Sequence, residues 1–154
     1  MLFRSGLGSF HRAHQAVYLH RLREQGDRSW AIVGGNSRPD MADTMAALTA
    51  QGGAYTLETV TPAGVRAYET ITSIVRVIPW TPDLAGLIAA GADAATKIIS
   101  FTVTEAGYHL DAHDRLDLAA LAPDLSAARQ GQATGSLYAV LTAMLRAQIG
   151  RAHV

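Results

Sequence analysis

Three short segments hold the residues whose types and spacing could do chemistry. Gly6-Leu7-Gly8-Ser9-Phe10 is a glycine-rich turn opening a helix, so its backbone N–H groups can approach a pyrophosphate, aided by the helix dipole. The match is Gly6-x-Gly8 alone, because His11 stands at the third glycine position, and an ordinary turn reads the same way. Asn36 and Arg38 follow the second strand-like stretch, where open α/β sheets read a cofactor ribose. An acidic side chain there would select NAD by bonding both ribose hydroxyls. Asn36 bonds hydroxyls without repelling a phosphate and Arg38 favours one, so these residues leave NAD and NADP both open. Thr104 and Glu105 end the third segment. A carboxylate at Glu105 could orient substrate or water near a nicotinamide; it could equally cap a helix or lie on the surface.

The histidines raise the question of a metal. His11 and His14 are three apart, and His109 and His113 are four apart. Zinc needs three or four converging ligands, and no acidic residue completes either pair at a standard spacing, so no metal is expected. His11 and Arg12, in the first helical turn, are expected at the phosphate edge. Lys97 is the one lysine, so any chemistry that needs a lysine must use it.

The elements that must position these residues alternate in type. A helix is expected over His11 to Glu24, ended at Gln25-Gly26-Asp27, then a buried strand Trp30 to Val33 broken by Gly34-Gly35-Asn36. Pro39 suits a first helical turn, and that helix runs to about Ala50 before Gln51-Gly52-Gly53. Tyr55 to Val60 and Val65 to Thr70, joined by Thr61-Pro62-Ala63-Gly64, read as a hairpin. Extended chain follows over Ile71 to Ile78, then a short helix Asp83 to Ala90. Ile98 to Val103 is the clearest buried strand. Leu110 to Gly131 has no clear period, and Thr134 to Ala147 reads as a final amphipathic helix. Tyr18, Leu19 and Trp30 are expected in the core or at a domain contact. This alternation argues for an α/β fold with a mainly parallel sheet and the hairpin inserted. Right-handed crossovers would then bring Gly6–Phe10, Gly34–Arg38 and Thr102–Glu105 to the carboxyl ends of adjacent strands, the edge where such sheets bind ligands.

Bulk composition sets limits. The chain has 154 residues, enough for one domain with a core, and is 49% hydrophobic and 17% charged. Zero formal net charge gives no electrostatic reason to expect a nucleic acid or an anionic membrane as partner. Without cysteine there can be no disulfide or thiolate site, and a reducing, cytoplasmic location is expected. No apolar run reaches membrane-spanning length, and no signal peptide is evident.

Taken together, three segments resemble a known family. Gly6-Leu7-Gly8-Ser9-Phe10-His11-Arg12-Ala13-His14-Gln15-Ala16 resembles the N-terminal signature of the polyol-specific long-chain dehydrogenases, the mannitol dehydrogenase family. Phe101-Thr102-Val103-Thr104-Glu105-Ala106-Gly107-Tyr108 resembles its second signature, and Gln51, Tyr55 and Thr56 fall on its Gln-x-x-x-Tyr-Thr element. The resemblance implies a Rossmann-like fold and NAD-dependent oxidation of a sugar alcohol, foremost D-arabinitol to D-xylulose. It also leaves room for a mannitol 2-dehydrogenase or a sugar-acid reductase of the same family. Outside the family, the alternative is a non-catalytic nucleotide-binding module. On this resemblance Gly6, Gly8, Phe10 and Arg12 fall at the pyrophosphate turn, Asn36 and Arg38 near the adenosine ribose, and Thr104 and Glu105 near the nicotinamide. The family's general base is a lysine in a helical C-terminal domain, oriented by an asparagine and a histidine, and that motif is not found here. Lys97 precedes its strand and should lie at the opposite edge of the sheet.

Both ends read as foreign. Ile149 to Val154 is one translation of ATCGGAAGAGCACACGTC, a common sequencing-adapter string, and Met1 to Ser5 can be read from GTGCTCTTCCGATCT, within its reverse complement. Residues 6–147 are therefore expected to be a partial dinucleotide-binding domain, with 1–5 and 148–154 adapter-derived. The natural first strand is expected to be missing and so is the C-terminal helical domain, which would be this chain's own partner. Met1–Ser5 can still form a stub of that strand, ending in Arg4, a poor residue for a sheet centre. The final helix should run into Ile149 and fray at Gly150. A face left bare should stay apolar and favour aggregation, and the fragment should neither turn over substrate nor bind NAD well.

Overall fold

The computed structural model describes residues 1–151. In chain order, β1 (Leu2–Ser5) leads to α1 (Ser9–Ala13), α2 (Gln15–Glu24) and β2 (Ile32–Gly35). A 3-10 turn (Pro39–Met41) and α3 (Ala42–Ala50) come next, then β3 (Tyr55–Val60), β4 (Arg66–Ile71) and β5 (Ile74–Ile78). The rest is α4 (Ala85–Ala92), β6 (Ile98–Phe101), a second 3-10 turn (Glu105–Tyr108), α5 (Ala122–Arg129) and α6 (Leu137–Arg151). Strands β5, β2, β1 and β6 form one parallel sheet in that order, with Leu2 level with both Ile32 and Ile98. Strands β3 and β4 pair antiparallel as a separate hairpin, from Tyr55 opposite Ile71 to Val60 opposite Arg66.

Strand alternation divides the core between the two faces of the sheet. Neighbours along a strand point to opposite sides. Leu2 and Ile32 join Leu7, Ala16, Val17, Met45, Leu48, Ile71 and Ile74 on the face covered by α2 and α3. Phe3 and Val33 join Ile78, Leu84, Leu87, Ala90, Val140 and Met144 on the face covered by α4 and α6. Fully burying a side chain of Phe3's size stabilises by about 2–3 kcal/mol. Among the described residues no helix is long and apolar enough to cross a membrane.

Several expectations change. The helix expected over His11 to Glu24 is two helices, broken at His14, where φ is −127° and ψ is −83°. The break expected at Gly34-Gly35 is strand: β2 runs through both, and the irregular chain begins at Asn36. Packing explains this, since a Cβ on Gly34 would lie 2.7 Å from Leu7 Cδ2 and one on Gly35 2.7 Å from Leu87 Cδ1. The strand expected to Val103 stops at Phe101 and is not fully buried. It forms one edge of the sheet, and Ile98 is 45% exposed. Tyr18 is exposed rather than in the core, Leu19 packs against the first cluster, and Trp30 is half-buried. The extended chain expected over Ile71 to Ile78 is interrupted at Thr72-Ser73, where it passes from hairpin to parallel sheet.

Met1–Ser5 do supply the first strand, as β1 between β2 and β6, and Arg4 is buried there. The unreadable stretch after Leu110 holds one isolated antiparallel bridge, Leu110 to Leu116, and then α5. The final helix runs through Ile149, as expected, and its last residue is Arg151. The last three positions of the expected tail, 152–154, lie outside the described residues.

Candidate functional site

The chain leaves β1 toward β2 on one side, and β6 is added on the other. The crevice at the carboxyl ends of β1 and β6 is thus the topological switch point of the sheet. A cleft of about 550 Å³ opens there, bounded by the segments that follow β1, β2 and β6. Its size is within the range of small-molecule and cofactor sites. Gly6 makes the turn: its φ is +93°, a left-handed value that favours glycine, and its N–H donates to Gly35 O at 2.7 Å. Over Gly8 there is open space, with no atom within 4 Å of where a Cβ would stand. Asn36 is buried against this turn, its Oδ1 3.9 Å from the position of a Gly6 Cβ.

Six of the eight candidate residues line the cleft: Gly6, Gly8, Phe10, Asn36, Arg38 and Thr104. Arg12 and Glu105 do not line it. The Arg12 guanidinium turns inward and donates to Leu7 O at 2.5 Å, so it braces the turn from below. The Arg12 carbonyl accepts from the Tyr55 hydroxyl, tying the turn to β3, and burial pushes that phenol up to about 12. Glu105 is exposed at the start of the second 3-10 turn. Arg38 is also largely exposed and pairs with Asp40 at 3.0 Å.

Other lining residues were not expected from the sequence. Gly135, Ser136 and Leu137 close the cleft from the start of α6, and His109 and Asp40 also face it. Ser136 caps α6 by accepting the Ala139 N–H at 3.1 Å, while its hydroxyl and that of Thr134 donate to Asp124. A Thr-Gly-Ser stretch before an apolar run signals a helix start. Its packing against Ser37, about 100 residues earlier, has no local sequence signal.

Arg4 also lines the cleft. Its Nε donates to Gly6 O at 2.9 Å, and its two terminal nitrogens donate to Ser100 Oγ and Thr102 Oγ1. Burial lowers its pKa, and among the described residues no carboxylate forms an ion pair with it. His11 is buried beside it. Desolvation, and then the Arg4 charge, push the imidazole down from 6.5 to about 4, so it is neutral near pH 7.

Among the described residues neither His11 and His14 nor His109 and His113 belong to a three-residue ligand cluster. His14 Nδ1 is bonded to Phe10 O, while His109 sits at the cleft with a left-handed φ of 49°. Elsewhere, His20, Glu24 and Glu69 bring three ligand-type atoms together. However, His20 Nδ1 accepts the Thr72 N–H at 3.2 Å, so the neutral ring carries its proton on Nε2. That nitrogen faces Glu24 at 3.5 Å and Glu69 at 3.8 Å, and a metal would need it bare. The cluster instead fastens α2 to β4. Lys97 lies at the far edge of the sheet, its N–H on Met1 O and its Nζ on Ala94 O at 3.0 Å.

No family model matches the chain. The chain is 60% identical over 148 residues to D-arabinitol 4-dehydrogenase of Ralstonia nicotianae, covering 94% of this chain and 31% of that protein. It is 52% identical over 140 residues to D-arabinitol 4-dehydrogenase of Klebsiella pneumoniae, covering 91% of this chain and 30% of that one. Mannitol 2-dehydrogenase of Cereibacter sphaeroides is 42% identical over 144 residues, 90% of this chain and 30% of that protein. The chain is a homologue of the polyol dehydrogenases. It spans about a third of the length of these relatives. Among solved structures, mannitol 2-dehydrogenase of Pseudomonas fluorescens, a ternary complex with NAD and D-mannitol, superposes with a TM-score of 0.87 at 25% identity. That match covers 98% of this chain and 31% of the other. A substrate-free D-sorbitol dehydrogenase shares the fold, with a TM-score of 0.84 over 98% of this chain and 31% of that one. This polyol dehydrogenase homologue therefore has the relatives' mainly parallel, Rossmann-like arrangement around its cleft.

Proposed function

We propose that the chain is the dinucleotide-binding part of an NAD-dependent polyol dehydrogenase that oxidises D-arabinitol to D-xylulose. The observation that carries this reading is the cleft at the β1/β6 switch point, opened by the Gly6 turn, in a chain 60% identical to a D-arabinitol 4-dehydrogenase. The residues present fit a dinucleotide: the left-handed Gly6 turn and the open space over Gly8 let a bulky pyrophosphate approach the backbone. Bound NAD would accept the hydride from the alcohol carbon.

Gly6, Gly8 and Phe10 would hold the pyrophosphate side, Asn36 and Arg38 the adenosine ribose, and Thr104 the nicotinamide side. Arg12 would act indirectly, by bracing the turn. Asp40 favours NAD over NADP, because a 2′-phosphate beside Arg38 would also meet the Asp40 carboxylate that already neutralises that arginine. No lysine lines the cleft, so the base that takes the alcohol proton would come from the remaining two thirds found in the relatives.

The test is a kinetic comparison on the complete parent protein. D-arabinitol with NAD should give the highest kcat/KM. A higher value with D-mannitol would move the assignment to the mannitol 2-dehydrogenases, and a preference for NADP would overturn the role given to Asp40.

A further inference from the structure

His11 has one ring nitrogen that the protein leaves without a partner. The residue is 2% exposed and lines the cleft. Its Nδ1 is 3.0 Å from Gln15 Oε1, a carbonyl-type oxygen that can only accept, so Nδ1 carries the proton. Ser100 Oγ donates to the same Oε1 at 3.3 Å while accepting from Arg4, so both neighbours of the Gln15 oxygen are donors in this arrangement. The neutral ring then keeps a bare lone pair at its buried Nε2. Among the described residues this is the one buried side-chain nitrogen or oxygen with no hydrogen-bond partner.

We propose that His11 Nε2 accepts a hydrogen bond from an O–H or N–H donor in the nicotinamide half of the bound dinucleotide. This rests on the dinucleotide reading above and adds a residue and a chemical demand to it. A pyrophosphate offers acceptors only and could not satisfy that lone pair, which argues against the phosphate edge where the sequence suggested His11. Position agrees. Gln15 ties His11 to Ser100 on β6, the strand that runs on into Thr102–Thr104, and not to the Asn36–Arg38 side. The nicotinamide half carries two kinds of donor, the ribose hydroxyls and the carboxamide N–H groups. Gln15 is a positioning residue, since it sets which nitrogen is left free.

The imidazole nitrogen signals of the labelled complete parent protein test this, read alone and with NAD, ADP-ribose or ADP. The free chain should show His11 protonated at Nδ1, and NAD should move its Nε2 signal toward hydrogen-bonded values. The same shift with ADP-ribose assigns the donor to a ribose hydroxyl; a shift with NAD alone assigns it to the carboxamide. An Nε2-protonated ring, or an equal shift with ADP, would overturn the proposal. If NAD moves the backbone amides of Gly6, Gly8 and Asn36 but not His11, the proposal fails and the dinucleotide reading stands. If NAD moves none of these signals, both fail. Affinity gives a second arm. His11→Phe should weaken NAD about 5- to 10-fold and ADP hardly at all, while His11→Gln, which restores an acceptor, should stay within about 3-fold of the parent for NAD. Equal weakening of NAD and ADP by His11→Phe would count against it.

Discussion

His14 Nδ1 donates to the carbonyl of Phe10 at 2.8 Å, the acceptor that the His14 backbone N–H would use in an unbroken helix. The displaced N–H turns to His11 O at 3.3 Å, and the chain breaks between α1 and α2. The same side chain stacks on Phe10, with ring centroids 4.4 Å apart, and so orients an otherwise exposed ring at the cleft. His14→Ala should let α1 and α2 merge, with a stability change below about 1 kcal/mol. Backbone chemical shifts over residues 9–24 measure this, and a break that persisted at position 14 would mean that it is imposed from elsewhere.

Stability should fall on mild acidification because of His11. Its folded pKa, about 4, lies below the ordinary 6.5, so between those values the unfolded chain binds more protons than the folded one. The contribution is fully present above pH 6.5 and is lost as pH falls toward 4. Its ceiling is on the order of 3 kcal/mol, at about 1.4 kcal/mol per pH unit. Denaturant titrations at several pH values, compared with His11→Gln, isolate it. Equal slopes in the two proteins would remove His11 as the cause.

Arg4 is a buried cation that, among the described residues, pairs with no carboxylate. Arg4→Leu removes three hydrogen bonds but also a desolvated charge, and replacing buried charge by apolar volume is often neutral or stabilising. An increase of about 1 kcal/mol is expected from denaturant unfolding. A loss above about 2 kcal/mol would mean that its bonds to Gly6, Ser100 and Thr102 outweigh the burial cost.

Gly35→Ala should destabilise by about 1–3 kcal/mol, because the new methyl would meet Leu87 Cδ1 at 2.7 Å and Ile78 O at 2.9 Å. Thermal unfolding measures it. No change would show that β2 and β5 can separate at little cost.

What was legible in the sequence depended on how far apart the cooperating residues lie. The Gly6 turn, the hairpin and the placement of Lys97 follow from neighbours in the chain, and each stands where the pattern put it. Gly34-Gly35 misled because glycine reads alike in a turn and in a tightly packed strand. The side chains that decide the matter, Leu7 and Leu87, are far away in sequence. The apolar run at Ile98 correctly indicated a strand, but nothing in it told an edge from a centre. His14 broke a helix with neither proline nor glycine, through a side-chain bond that propensity does not register. The closure of the cleft by Ser136 and Leu137 depended on α6 packing across the sheet, and Arg12 sat at the right turn but on its inner side.

The position of β1 also bears on how the chain is made. Leu2–Ser5 leave the ribosome well ahead of β6, yet they finish between two strands, and Arg4 meets Ser100 across a separation of 96 residues. At roughly 5–20 residues per second, β1 would wait about 5–20 s for β6 to be synthesised. During that interval one whole side of the strand, and the Phe3 side chain that later fills the second core, has no native neighbour to close on. The order of synthesis thus makes β1 the first of the described strands to emerge and one of the last to be completed.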